Sequence, residues 1–214
     1  VHRLPCRPMA RPRTDAREQL LARVVEHLAD HGVAGLSLRE LAGDLGTSHR
    51  MLVYHFGSKA GLLAEVVRHV EAAQRAPFEA LAAAVAAGAD GADGADQADQ
   101  AVEHVAERMW AMWAHWLEPS MQRQERLFFE MVGMALQGDP TMQPLLDDLV
   151  TPWLEPIATL RMRQGVGRDD ALAEARLALA VTRGLLLDVL ATGDREAATR
   201  AFVHFGRLLG VGRG

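Results

Sequence analysis

Apolar residues recur at helical spacing along nearly the whole chain, and no stretch alternates as a strand would. Leu20, Leu21, Val24, Val25 and Leu28 form one stripe of an α-helix that begins near Asp15 and stops at Gly32. Ser37-Leu38-Arg39-Glu40 reads as a capping box opening a short helix with Leu38, Leu41, Ala42 and Leu45 apolar. Gly46 ends it, and Thr47 or Ser48 caps a helix reaching about Tyr54. Phe56-Gly57 breaks the pattern, and Ser58 caps a longer helix carrying Leu62, Leu63, Val66, Val67 and Val70. Pro77 is expected to interrupt that helix, with an Ala-rich helix over 79–87 following it. Residues 88–99 repeat the triplet Gly-Ala-Asp and read as an acidic, poorly ordered loop; the carboxylate ladder of a Ca²⁺ loop is absent. Helices are then expected over 99–117, 120–137, 141–164 (bent or split by Pro152 and Pro156), 169–192 and 194–209. The fold class is all-α, with about nine helices.

Residues 38–56 have the spacing of a helix-turn-helix. Ala42 is small where two helices would cross closely. Gly46 stands where the turn calls for positive φ, and Leu52 plugs the shared core from the second helix. The same triplet would fit a plain helical hairpin. Its surroundings favour the motif: a capped first helix precedes it, and Tyr54-His55-Phe56 then Gly57-Ser58-Lys59 follow.

The roles follow from position. Thr47 and Ser48 sit at a helix N-terminus suited to a phosphate. His49, Arg50 and Met51 come first within reach of base edges, and Arg50 could take a guanine bidentately. Tyr54 and His55, one turn on, fit phosphate contacts, as do Arg39 and Lys59, the only lysine in the chain. Residues 1–14, with three Pro and four Arg, read as a flexible basic arm. Its Arg11 and Arg13 could enter a minor groove or lie in a disordered tail, and Met9 could be the true start in place of Val1.

Residues 15–70 resemble the N-terminal domain of the TetR family of transcriptional regulators. The likeness is carried by the run from Gly32 through Ser37-Leu38-Arg39-Glu40-Leu41-Ala42, Leu45-Gly46-Thr47-Ser48 and Tyr54-His55-Phe56-Gly57-Ser58-Lys59 to Gly61-Leu62-Leu63. Arg50, Val53 and Ala60 depart from the residues the family often has there. The first changes which bases are read, and the last removes a capping contact worth roughly 0.5–1 kcal/mol. The resemblance implies three parts: a basic arm (1–14), a three-helix DNA-binding domain (15–57), and a helical ligand-binding and dimerisation domain (58–214).

That second domain is rich in soft, large side chains. Met109, Trp113, Trp116, Phe128, Met131, Met134 and Trp153 are either plain core or the walls of an adaptable apolar pocket. The resemblance implies an inducer cavity there, with His115, Arg126, Glu130 and Gln137 as polar candidates. The segment from Leu177 to Leu190 is apolar almost all round and should be covered on two sides. Leu177, Val181, Leu185 and Asp188, with Phe202, Phe205 and Leu209 on the last helix, are therefore expected at a two-helix dimer seam, Arg183 and Asp188 serving its hydrogen bonds.

Charge sharpens this division. Residues 1–76 hold 11 Arg/Lys against 8 Asp/Glu, while 77–214 hold 12 against 20, so a basic head precedes an acidic body. The 214 residues are 49% hydrophobic and 24% charged, with one cysteine, Cys6, which rules out a disulfide framework or a cysteine zinc finger. No secretory or spanning segment is visible, and a cytoplasmic location is expected. No nucleotide-binding, hydrolase or zinc-protease motif is present. His27 and His31 lie at i, i+4 without a third ligand, so no metal and no cofactor are expected, and no catalysis.

The expected function is a bacterial, ligand-responsive repressor. It binds a palindromic double-stranded operator as a homodimer and is released by a small apolar or aromatic effector, with no membrane partner. Two alternatives stay open: a helical small-molecule-binding or enzymatic protein whose helix-turn-helix is structural, and a ligand-independent DNA-binding activator. The basic head argues against the first, the Met- and Trp-rich body against the second.

Overall fold

A computed structural model describes residues 13–88 and 107–210, and these are helical without a strand. The helices are α1 (Arg13–His31), α2 (Leu38–Asp44), α3 (His49–Phe56), α4 (Lys59–Gly88), α5 (helical over 107–116), α6 (Pro119–Leu136), α7 (Gln143–Asp148), α8 (Thr151–Arg163), α9 (Arg168–Thr192) and α10 (Arg195–Leu208). The arm at 1–12, with Arg11, and most of the loop at 88–99 lie outside the described residues. No described helix is long and apolar enough to cross a membrane.

Local chemistry sets most boundaries. The Ser37 hydroxyl accepts from the Glu40 amide at 3.5 Å, the Ser48 hydroxyl from the Met51 amide at 3.2 Å, and the Ser58 hydroxyl from the Gly61 amide at 3.0 Å. Gly46 has φ +60°, as the turn between α2 and α3 demands. Gly61 answers a different constraint: a Cβ there would stand 2.2 Å from the Phe56 carbonyl oxygen, so no larger residue lets α4 leave α3 so closely.

One expectation is corrected, and another, the bend or split in 141–164, is resolved as a split. Pro77 does not interrupt α4, which runs through it. Pro77 and Ala73, whose carbonyl loses its i+4 donor, are both exposed, so water can take the freed oxygen. Phe78 is buried beside them and holds the helix to the body. The segment 141–164 divides into α7 and α8 at Leu149-Val150. Pro152 sits in the first turn of α8, where its missing N–H costs nothing, and Pro156 is carried inside the helix.

Two cores result. The first joins Val24, Val25 and Leu28 of α1 with Leu41, Leu52 and Phe56, the first half of α4, Phe128 and Met131 of α6, Met142 at the cap of α7 and Leu145 within it. The second gathers Phe78, Trp113, Trp116 and Trp153 against Ile157, Leu179, Leu186 and Phe202. α8 packs most extensively on α9, and α4 reaches from α3 to α8, spanning both cores.

Candidate functional site

The helix-turn-helix is built from the first core outward. Leu41, Ala42, Leu45, Leu52 and Phe56 are buried, and the Thr47 amide donates to the Ala42 carbonyl at 2.9 Å, closing the turn. Arg23 of α1 donates to the Leu45 carbonyl at the end of α2. Arg17 lies 5.5 Å over the Phe56 ring and 2.6 Å from Glu65. Sequence reasoning missed both arginines, because long-range caps have no local signature.

What this scaffold leaves outside is the rest of α3. His49, Arg50, Met51, Val53 and Tyr54 are exposed, Tyr54 at 59%, with His55 half-buried and edge-on to Tyr54. Arg39 on α2, Ser48 at the head of α3 and Lys59 at the head of α4 are exposed too, and Thr47 is half-buried. Val53 joins this face although the sequence reading gave it no contact role. The outward surface thus holds an arginine, histidines, a hydroxyl and free helix N-terminal amides, the groups that meet phosphates and base edges.

A cavity of about 50 Å³ lies in the second core. At roughly 10–15 Å³ per water-sized site this admits only a few small groups. Met109 and Met112, with three rotatable bonds each, can move aside for more. Met109, Trp116 and Trp153 line it, with Phe78, Leu186 and Phe205. The other expected wall residues lie elsewhere. Trp113 stacks on Phe202 at 4.5 Å and donates its indole N–H to Thr199 at 2.9 Å. Phe128 and Met131 belong to the first core, with Met134 packed against it.

The polar candidates also fall outside the cavity. His115 pairs with Glu118 at 3.3 Å, and Arg126 and Gln137 are exposed. Glu130 accepts from the Val33 and Ala34 amides, each at 3.0 Å, tying α6 to the loop after α1. The polar groups that do converge are Glu71, Gln74, Glu125 and Arg183. The Trp153 indole N–H donates to Glu71 at 2.9 Å, Arg183 stands 3.6 Å from the same carboxylate and donates to the Leu149 carbonyl, and Gln74 donates to Glu125. The Arg183 guanidinium lies 5.1 Å from both the Phe128 and Trp153 rings. Burial pushes the Glu125 carboxyl up to about 7; Arg183 pulls it down, Glu71 pushes it up and the Gln74 hydrogen bond lowers it. Arg183 therefore faces inward and does not serve an outer seam with Asp188, which is exposed.

Along α9 and α10 the expected seam residues divide. Phe202 is buried in its own chain's core, and Phe205 lines the cavity. Leu177 is 50% exposed, Val181, Leu185 and Leu209 are half-buried, and Leu187 and Leu208, at 50% and 72%, join the outer face. Elsewhere His27 and His31 stack at 4.2 Å, with His27 3.6 Å from Asp44. Among the described residues no group of three His, Cys, Asp or Glu side chains could hold a metal ion.

The geometry places the N-terminal segment in a known class. Residues 20–66 match the family model of bacterial regulatory proteins of the tetR family, so the resemblance to that family is shown. The chain has the fold of a TetR-family transcriptional regulator. A Rhodococcus sp. protein described as a TetR-family transcriptional regulator aligns with a TM-score of 0.66 at 20% identity, covering 91% of this chain and 98% of its own. A transcriptional regulator from Saccharomonospora viridis in complex with choline aligns at 0.65 and 22% identity, covering 92% and 97%. The multidrug binding protein EbrR complexed with imidazole aligns at 0.55 and 21%, covering 94% and 97%. No curated protein sequence matches the chain.

Proposed function

We propose that the chain is a ligand-responsive transcriptional repressor that binds a palindromic DNA operator as a symmetric dimer and leaves it when a small molecule fills the body cavity. The observation that carries this reading is the exposed face of α3, anchored by the buried Leu52 and Phe56 and presenting His49, Arg50, Met51 and Tyr54 outward. The fold relatives in complex with choline and with imidazole support a small-molecule effector. The exposed Leu177, Leu187 and Leu208 support α9 and α10 as the dimer seam. DNA binding and effector release, not catalysis, are the activities assigned.

Two elements can carry the effector signal. α4 begins at Lys59 beside α3 and contributes Phe78 and Gln74 to the cavity. α6 contributes Glu125 to the cavity and, five residues on, Glu130 to the backbone amides of the head. A ligand that shifts either helix changes the spacing of the two α3 helices of the dimer, which must match major grooves about one helical turn apart. Couplings of this kind are typically about 1–3 kcal/mol.

Selection from random duplex DNA tests the reading: it should return a palindrome, bound by two chains in sedimentation. Recovery of sequences without two-fold symmetry, or of none, would overturn it.

A further inference from the structure

The cavity read above as an effector site has aromatic faces on several sides and a carboxylate on another. Phe78 stacks on Trp116 with centroids 5.7 Å apart and meets Trp153 edge-on at 5.6 Å. Glu125 lines the same space and is 4% exposed. Its hydrogen-bond donor, Gln74, is an uncharged amide. Arg183 lines the cavity as well, but its guanidinium is already engaged by Glu71, the Leu149 carbonyl and two ring faces.

Two buried carboxylates therefore share one guanidinium. Of the two carboxylates, Glu125 is the one that lines the cavity. A negative charge beside ring faces attracts an organic cation twice, through Coulomb's law and through the ring quadrupoles. A neutral ligand leaves the charge uncompensated, and an anion adds to it.

We propose that the cavity selects a monovalent organic cation, an amine or quaternary ammonium with its charged end at Glu125 and its apolar body against Trp116, Trp153 and Phe78. The proposal rests on the effector-site reading and adds the ligand's charge to it. A proton linkage follows. Glu125 is faced by Glu71 and Gln74 from α4 and by Arg183 from α9, while the cavity residues of α5, α8 and α10 bring no charge. With burial holding its carboxyl near 7, an incoming cation expels the proton, and cation affinity rises as the pH climbs through 7.

Three probes test this on the full chain: phenyltrimethylammonium, its uncharged carbon isostere tert-butylbenzene, and the aromatic anion benzoate. Tryptophan fluorescence gives the affinities, and calorimetry of the cation in buffers of different ionisation enthalpy counts protons. At about pH 8 the ammonium should bind about tenfold or more tighter than tert-butylbenzene, with the advantage shrinking at about pH 6 and protons released on binding near pH 7. Glu125→Gln should shrink the cation-to-neutral ratio about fivefold or more and abolish proton release. The wild-type comparison needs no variant to fold. If tert-butylbenzene bound as tightly as the ammonium at pH 8, or benzoate more tightly, the charge inference falls and the cavity reading stands. If none of the three bound, both fall.

Discussion

The core under the helix-turn-helix and the core around α8–α10 differ in what they bury. The first is apolar throughout, from Leu20 on α1 to Leu145 on α7, and its polar work is done at the edges, by the serine caps and by Glu130 on the amides of Val33 and Ala34. Where it meets the second, the interior holds Glu71, Glu125 and Arg183, the guanidinium lying between a ring of the first core, Phe128, and one of the second, Trp153. An apolar core fixes one shape and suits a rigid reading head. A charged interior is costly to keep and sensitive to whatever enters it, which suits a sensor.

The largest way to break this contrast is Arg183→Met. It takes the guanidinium away from two buried carboxylates, and denaturant unfolding at about pH 8 should show a loss of about 3–5 kcal/mol. A loss well under 1 kcal/mol would mean the cluster is wet and weakly coupled. The matching experiment in the first core is Leu52→Ala, which leaves a cavity beneath α3 and should cost about 2–5 kcal/mol. The two should differ in pH dependence: the Leu52→Ala deficit should be the same at pH 5 and pH 8, whereas the Arg183→Met deficit should shrink as the carboxyls take up protons.

Glu125→Gln sharpens the contrast in the opposite direction. The ordinary carboxyl value is 4.5, and burial raises the folded one to about 7. Between those values the folded chain holds a proton that the unfolded chain has released, so stability falls as the pH rises through this window and stays lower above it. Glu125→Gln removes that slope and should unfold later than wild type at about pH 8 by something on the order of 2–3 kcal/mol, with no difference near pH 4. Urea titrations at the two pH values read it directly; a variant less stable than wild type at pH 8 would contradict the pattern of charges. The smallest effect belongs to the head: Ser48→Ala removes the cap of α3 and should lower stability by about 1 kcal/mol at every pH, visible as a shifted melting temperature.

The head was legible in the sequence because its signals are local. Ser37, Gly46, Ser48, Gly57 and Ser58 mark helix ends through chemistry within three or four residues, and the spacing Ala42, Gly46, Leu52 defines a crossing geometry. The body was legible as helices but not as a site. Periodicity tells which side chains share a helix face, not which partner that face meets. Phe128 and Met131 look like pocket walls beside Trp113 and Trp116, yet α6 turns them toward α1 and α4 while presenting Glu125 to the cavity. The Glu71–Arg183–Glu125 cluster joins residues from three helices far apart in the chain, and a lone charged residue in sequence gives no sign of burial. Pro77 misled because a helix can carry a proline where the carbonyl it orphans, here that of the exposed Ala73, reaches water.

On the function proposed above, α3 presents Arg50 to base edges from a rigid head. The most direct measurement is the affinity of Arg50→Ala and of wild type for the selected palindrome and for a scrambled duplex at one salt concentration. Arg50→Ala should lose about 1–3 kcal/mol on the palindrome and far less on the scrambled duplex, because a base contact confers discrimination and a phosphate contact does not. Equal losses on both would make Arg50 a phosphate anchor and take base reading away from the exposed face of α3.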